Sequence, residues 1–283
     1  MILSFNPIIT ADHQIILGSR KINDDDHAFI RKADAIILPQ SCSEELYEAS
    51  RDSSALIFPK YDFRFRFPGK VGQSLLFEKI GFPQPETKQW NSVTKFMETC
   101  EGSFPHEVPF IIKANMSHEA EGIYIVQDHE SFDSAMDHIG AIEKSGVKGF
   151  ISQELVQSGG SVLRVVIMDK ELISYWKRSY DSNQIITSAG AGARIDREWR
   201  PELAEKGREG VKRFTMLTGI NLAAIDIIFP IKEKEPQPLF LEINYYFGRR
   251  GLGGSFNYYK MLFRTIKEWL TENGLYSNSI TLV

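Results

Sequence analysis

The chain has 283 residues, 42% of them apolar and 25% charged, the balance of a globular protein with core material for one large unit or two to three smaller ones. Lys plus Arg number 33 against 37 Asp plus Glu, a net charge of −4, which argues against a general nucleic-acid binder. Cys42 and Cys100 show no CxxC spacing, which argues against a disulfide framework or zinc site and fits reduced thiols in a cytoplasmic protein.

The start, "MILSFNPIITADHQ", has no basic region before its short apolar stretch and reads as a strand, not a signal peptide. No run approaches the roughly 18 apolar residues of a membrane helix. "QIILG", "DAIILPQ" and "SALIFP" are strand candidates. Between them, "NDDDHAFIRKA" carries Asn and Asp caps, and "SCSEELYEAS" offers a capping box from Ser41 to Glu44. This βαβ alternation predicts a small parallel sheet. In "YDFRFRFPGK" the Phe–Arg alternation reads as a half-buried strand or connector, with Arg64 and Arg66 outward. A nucleic-acid stacking ribbon is the less favoured reading.

"KVGQSLLFEKIG" is a helix stopped at Gly81, followed by an extended exit with two prolines. From 90 to 156 the order is helix, strand, strand, helix, strand: "NSVTKFMETC", "VPFIIKA", "GIYIV", "HESFDSAMDHIGAIEKSG" and "GFISQELV". Beyond 161, long strands dominate: "SVLRVVIMD", "ELISYWKRS", "NLAAIDIIF" and "PLFLEINY". Asp169 opens a hairpin turn between the first two. "PELAEKGREGVKRFTMLTG" and "NYYKMLFRTIKEWLTENG" are helices, and "IKEKEPQP" is a solvated hairpin loop.

Alternate side chains of a strand share a face, so "LFLEINY" sets Glu242 beside Asn244, and Asp226 lies on the preceding apolar strand. Buried acids need a positive partner. A Mg²⁺ ion is one solution; salt-bridged core acids are the other, and the residues alone leave both open. Lys113 ends an apolar strand, suited to phosphate binding or to snorkelling outward. Arg164 and Arg178 sit on paired strands and could both face one cleft, where Arg can spread phosphoryl charge, though alone they are unremarkable. There is no GxSxG, HExxH, GxxxxGK[ST] or strand-borne GxGxxG, and the six His residues form no ligand pattern.

Taken in order, these segments resemble the ATP-grasp superfamily, in particular the branch of glutathione synthetase and the ligases that add glutamate to a ribosomal protein. The likeness runs from about Gly69 to the C-terminal helix. It implies a mixed α/β and α+β architecture: an ATP-grasp domain over residues 69–283, preceded by a small parallel α/β domain over 1–68. Within the larger domain, 90–156 would form the ATP lid and 157–283 the metal-binding part. "GKVGQSLLFEKIGFPQPET" resembles the segment whose lysine, Lys70, contacts phosphate, and "PFIIKANMSHEAEGIYIV" the strand pair bearing the second ATP lysine, Lys113. "FISQELV" resembles the hinge strand, where Gln153 and the backbone of Glu154, Leu155 and Val156 would meet the adenine. "VLRVVIMDKELISYWKR" resembles the hairpin with Arg164 and Arg178. "AIDIIF" and "LEINYYFG" resemble the metal strands, giving Asp226, Glu242 and Asn244.

Departures from that pattern concern the substrate side. The loop "NMSHEAEG" brings Glu119 and Glu121 where Gly and Ser are usual. The ribose-binding carboxylate is missing, with Ser161 nearest its place. "NQIITSAGAG" keeps Asn183 but no cation, and "YYFG" replaces a proline-containing turn. The resemblance implies ATP and Mg²⁺ or Mn²⁺, as two ions, and a ligase joining a carboxylate to an amine or thiol through an acylphosphate. Arg178, Arg249 and Arg250 would serve as its catalytic cations. The substrates would be small molecules or peptides, without nucleic acid or membrane, in a cytoplasmic protein open to homodimerisation. A small-molecule kinase and a non-catalytic nucleotide binder are the alternatives.

Overall fold

The computed structural model describes residues 1–117, 122–179 and 193–283. Strands β1 (Ile2–Ser4), β2 (Ile9–Thr10) and β3 (His13–Gln14) lead into α1 (Asp24–Lys32), β4 (Ala35–Ile37), α2 (Glu44–Arg51) and β5 (Leu56–Phe58). Strands β3, β1, β4 and β5 pair in that order, all parallel, with α1 and α2 as the crossovers into β4 and β5. Asn23 and Asp26 form a capping box at α1. The cap of α2 is Ser43, which accepts from Leu46 N, two residues beyond the expected Ser41.

The Phe–Arg segment is not a strand but the short helix α3 (Asp62–Arg66). Helical spacing stacks Phe63 on Phe67, centroids 5.9 Å apart, and lets Arg64 donate to Gln40 O at 2.8 Å. Alternation along the chain lost to these packing contacts.

Helix α4 (Gly69–Lys79) is followed by β6 (Thr87–Trp90), α5 (Val93–Cys100), β7 (Phe110–Ala114), β8 (Ile123–Val126), α6 (His129–Lys144) and β9 (Phe150–Glu154). Their antiparallel sheet runs β6-β9-β7-β8. Helices α5 and α6 cover one face, where Phe96, Phe132 and Ile139 pack on Phe110, Ile112 and Phe150. The other face carries Lys113 and Gln153.

The third sheet is built from β10 (Ser161–Met168), β11 (Glu171–Arg178), β12 (Arg194–Asp196), then α7 (Pro201–Thr218), β13 (Leu222–Ile228) and β14 (Leu239–Asn244). Its antiparallel order is β12-β11-β10-β13-β14. Asp169, at φ 53°, makes the turn between β10 and β11, and Met168 pairs with Glu171. Leu163, Val165, Trp176, Ile225 and Ile227 join Val211 and Phe214 of α7 in one core. Val166, Tyr175, Leu222 and Ala224 face α8 (Ser255–Glu272), meeting Tyr258, Leu262 and Ile266. The last strand, β15 (Thr281–Leu282), pairs with β2. Among the described residues no helix is long and apolar enough to cross a membrane.

Candidate functional site

The face of the third sheet that meets α8 also carries its charges. Arg164 pairs with Asp226 across β10 and β13, and Asp226 with Glu242 across β13 and β14. Asp226 is 2% exposed. Arg164 grips it in bidentate fashion, Nε to Oδ1 and NH2 to Oδ2, both at 2.7 Å. Lys177 Nζ adds a third bond at 2.8 Å. These two cations hold the Asp226 carboxyl well below the usual carboxylate range although burial pushes it upward.

Lys177 was not singled out from the sequence, and Arg178 was. The two-residue turn sets Arg164 opposite Tyr175 and Ser161 opposite Arg178. Alternation therefore puts Lys177 on the Arg164 face and Arg178 on the other. Arg178 instead bonds Asp196 at 2.8 Å and stacks 4.1 Å over Trp199. The expectation that Arg164 and Arg178 share a cleft is thus corrected. The turn length, already legible at Asp169, was the signal that could have found Lys177.

Glu242 and Asn244 are half-buried side by side, with Asn244 Nδ2 donating to Glu242 Oε1 at 3.0 Å. Across from them come two lysines. Lys113 is 8% exposed and donates to Gln153 Oε1 at 2.6 Å. Burial pushes its ammonium down to about 8; Glu242 and Asp226 pull it back up, and Lys70 adds to the depression. Lys70 is lowered by burial as well, opposed by Glu242. Glu242 thus acts on both lysines, and Asp226 on Lys113.

Local chemistry fixes this approach. Asn115, just past β7, receives Val71 N on its side chain and Lys70 N on its carbonyl, both at 3.0 Å, and so ties the start of α4 to the second sheet. Gly69, at φ +65°, is needed there, since a Cβ would lie 2.2 Å from Asn115 Oδ1. Gln73 on α4 clamps both backbone groups of Ile243 at 2.8 Å. One helix thereby joins the end of β7 to the strand of Glu242.

Gln153 is buried and shared between Lys113 and Thr87 Oγ1. Glu154 is engaged with Glu86, while Leu155 and Val156 make no backbone hydrogen bond among the described residues. Ser161 is buried and donates to Ser158 O at 2.6 Å. Arg249 lies 4.6 Å over both Tyr258 and Tyr259, while Arg250 is exposed. Gly251 between them and the sheet lies against Tyr175, where a Cβ would fall 2.0 Å from the ring. Asn183, Glu119 and Glu121 lie outside the described residues. The groove between α5 and α6, about 650 Å³, contains none of these groups.

The donor set fits one Mg²⁺- or Mn²⁺-type ion, which takes carboxylate and amide oxygens with the rest from water and phosphate. Glu242 Oε2 and Asn244 Oδ1 have no protein donor among the described residues, and Asp226 Oδ1 accepts only from Arg164. The expected second ion finds less: Asp226 Oδ2 already accepts from Arg164, Lys177 and Asn244. Among the described residues no three His, Cys, Asp or Glu side chains converge.

The architecture is the ATP-grasp fold, shown by comparison with solved structures. A RimK domain protein ATP-grasp from Sphaerobacter thermophilus superposes with a TM-score of 0.52 at 14% identity, over 81% of this chain and 80% of that one. The VanG D-Ala:D-Ser ligase from Enterococcus faecalis gives 0.58 at 16% identity, over 82% and 72%. The N5-carboxyaminoimidazole synthase from Aspergillus clavatus, solved with ADP and 5-aminoimidazole ribonucleotide, gives 0.58 at 13% identity, over 86% of this chain and 62% of that one. The chain thus spans less than two thirds of that last protein. No family model matches the chain, and no curated protein matches it in sequence.

Proposed function

We propose that the protein is an ATP-dependent ligase that activates a carboxylate and joins it to an amine or thiol. Residues 69–283 would carry the reaction and 1–68 a preceding unit, and the substrates would be small molecules or peptides. One observation carries the reading: Lys70 and the buried Lys113 lie within electrostatic reach of Glu242, on elements that α4 ties to β14 through Gln73. Cations facing acids that keep free oxygens form a cradle for a polyphosphate with a divalent ion.

Lys70 and Lys113 would hold phosphate oxygens as compact point charges. The Lys113–Gln153 bond fixes the ammonium in a dry wall, where its charge is felt more strongly than in water. Leu155 and Val156 offer free backbone groups to the adenine edge. Glu242, Asn244 and one oxygen of Asp226 would hold the divalent ion, which when bound neutralises charge on the phosphates. Arg164 and Lys177 position Asp226. Transfer of the γ-phosphoryl group to the acceptor carboxylate breaks the β–γ bridge and releases ADP. The nucleophile then forms its bond to the acyl carbon, phosphate departs, and the nucleophile loses a proton. Arg249 and Arg250 have no acid partner within 4 Å among the described residues, so they are free to stabilise the transferring group or the oxyanion. No side-chain nucleophile is needed.

The test is ADP release from Mg²⁺-ATP against pooled carboxylates and amines, with mass spectrometry of the products. Wild-type protein should give ADP, phosphate and a condensed product, and Glu242→Gln should give none. ADP with a phosphorylated acceptor and no condensed product would replace the ligase with a kinase. ATP binding without ADP release would leave a non-catalytic binder.

A further inference from the structure

The face of the second sheet that carries Lys113 and Gln153 also carries Thr87. Strands β6, β9 and β7 lie side by side in that order, and Thr87 on β6 stands directly opposite Gln153 on β9. Gln153 pairs with Ile111 and Lys113 with Ile151, so Gln153 and Lys113 are diagonal neighbours on one face, within reach of long side chains. Three hydrogen bonds run along this line. Lys113 Nζ donates to Gln153 Oε1 at 2.6 Å, Gln153 Nε2 donates to Thr87 Oγ1 at 2.7 Å, and Thr87 Oγ1 donates to Pro85 O at 2.7 Å.

The direction of this relay is set from its far end. Pro85 O is a carbonyl and only accepts, so it takes the single hydroxyl proton of Thr87. Thr87 Oγ1 is then left to accept, and only the amide nitrogen of Gln153 can donate to it. That turns Oε1, the acceptor, toward Lys113. An ammonium has three protons and no lone pair, so its charged form needs an acceptor. The reverse amide orientation would aim N–H groups at it and favour the neutral amine. Little water reaches the group: Lys113 is 8% exposed, and burial draws its ammonium down to about 8. Glu242 on β14 and Asp226 on β13 favour its charge from a distance, and Lys70 on α4 opposes it. Among the described residues its one side-chain hydrogen-bond acceptor is Gln153 Oε1.

We propose that Thr87 is a positioning residue of the nucleotide site: through Gln153 it holds the ammonium of Lys113 charged and in place for phosphate. The phosphate belongs to the proposed function, on which this role rests; the relay itself stands on the three bonds. Gln153 thereby serves Lys113 and not the adenine. The polar sequence of β6 gains a reason as well. Thr87 and Gln89 share a face by alternation, and Gln89 Nε2 donates to Ser74 Oγ of α4 at 2.9 Å. An aliphatic residue at 87 would leave the Gln153 amide with nothing to orient it from that side.

Thr87→Val and Thr87→Ser test this in the full chain. Valine keeps the shape and strand preference of the residue without the hydroxyl, and serine keeps the hydroxyl. The first measurement is the pH titration of Lys113 without nucleotide, read from its Cε chemical shift in isotope-labelled protein and assigned by the signal lost in Lys113→Met. The second is affinity for a non-hydrolysable ATP analogue between pH 7 and 9. In Thr87→Val, Lys113 should titrate roughly half a pH unit lower, an acid constant about threefold larger. The analogue should bind that variant more weakly than wild type, and the deficit should widen about two- to threefold across the pH range. Thr87→Ser should restore both readings. A valine variant whose Lys113 titrates as in wild type, or whose deficit is the same at pH 7 and 9, would overturn the relay, as would a serine variant that behaves like valine. Failure of wild type to bind the analogue, with Lys113 titrating as stated, would sink the nucleotide reading and leave the relay. Tight analogue binding with one Lys113 titration in all three proteins would sink the relay and leave the nucleotide reading.

Discussion

Lys113→Met should stabilise the protein near neutral pH and lose that advantage in alkali. Lys113 is 8% exposed and burial lowers its ammonium from 10.5 to about 8. Each unit is worth about 1.36 kcal/mol, so holding the charged form in the fold costs about 3 kcal/mol. Between those pH values the unfolded chain binds a proton that the folded chain has released. Stability of the wild type therefore rises with pH from about 8 to 10.5 and is flat below. Methionine removes the penalty but leaves Gln153 Oε1 without its donor, at a cost of roughly 1 kcal/mol. The net gain is about 2 kcal/mol at pH 7, turning into a loss of about 1 kcal/mol above the window. Urea unfolding without nucleotide, followed by tryptophan fluorescence at pH 7, 9 and 10.5, reads the sign change. A variant less stable than wild type at pH 7, or a difference that ignores pH, would refute the reasoning. Under the proposed function the cost has a use, since a buried ammonium suits a phosphate site.

Other outcomes follow from the same geometry. Asp226→Asn leaves Arg164 and Lys177 buried without their counter-charge and should cost roughly 3–5 kcal/mol, seen as a Tm drop on the order of 6–15 °C. Gln73→Leu frees the backbone of Ile243 from α4, and nucleotide affinity should fall about tenfold, roughly 1.4 kcal/mol, with the far-UV spectrum unchanged. Gly251→Ala drives a methyl group to 2.0 Å from the Tyr175 ring and should destabilise by about 1–3 kcal/mol, whereas Gly248→Ala, with nothing within 4 Å, should be neutral in the same melting experiment.

Much of the architecture was legible because its segments obey single rules. The aliphatic runs of β10, β13 and β14 read as strands, and the Asn23 cap and Gly219 stop bound their helices from local chemistry alone. Glu242 and Asn244 shared a face by alternation without any tertiary knowledge. What failed needed pairing or packing. Arg178 was assigned to the wrong face because the strand register was not carried through the two-residue turn, and Lys177 was missed for the same reason. β6 escaped notice because "TKQW" is short and polar, and only pairing with β9 makes it a strand.

The most direct test of the central claim is equilibrium binding of a non-hydrolysable ATP analogue with and without Mg²⁺. Wild-type protein should bind at least tenfold more tightly with the ion, about 1.4 kcal/mol. Glu242→Gln should keep the metal-free affinity and lose the Mg²⁺ gain, and Lys113→Gln should weaken binding under both conditions. An analogue that binds wild type equally with and without Mg²⁺, or a Glu242→Gln variant that keeps the full gain, would contradict the account.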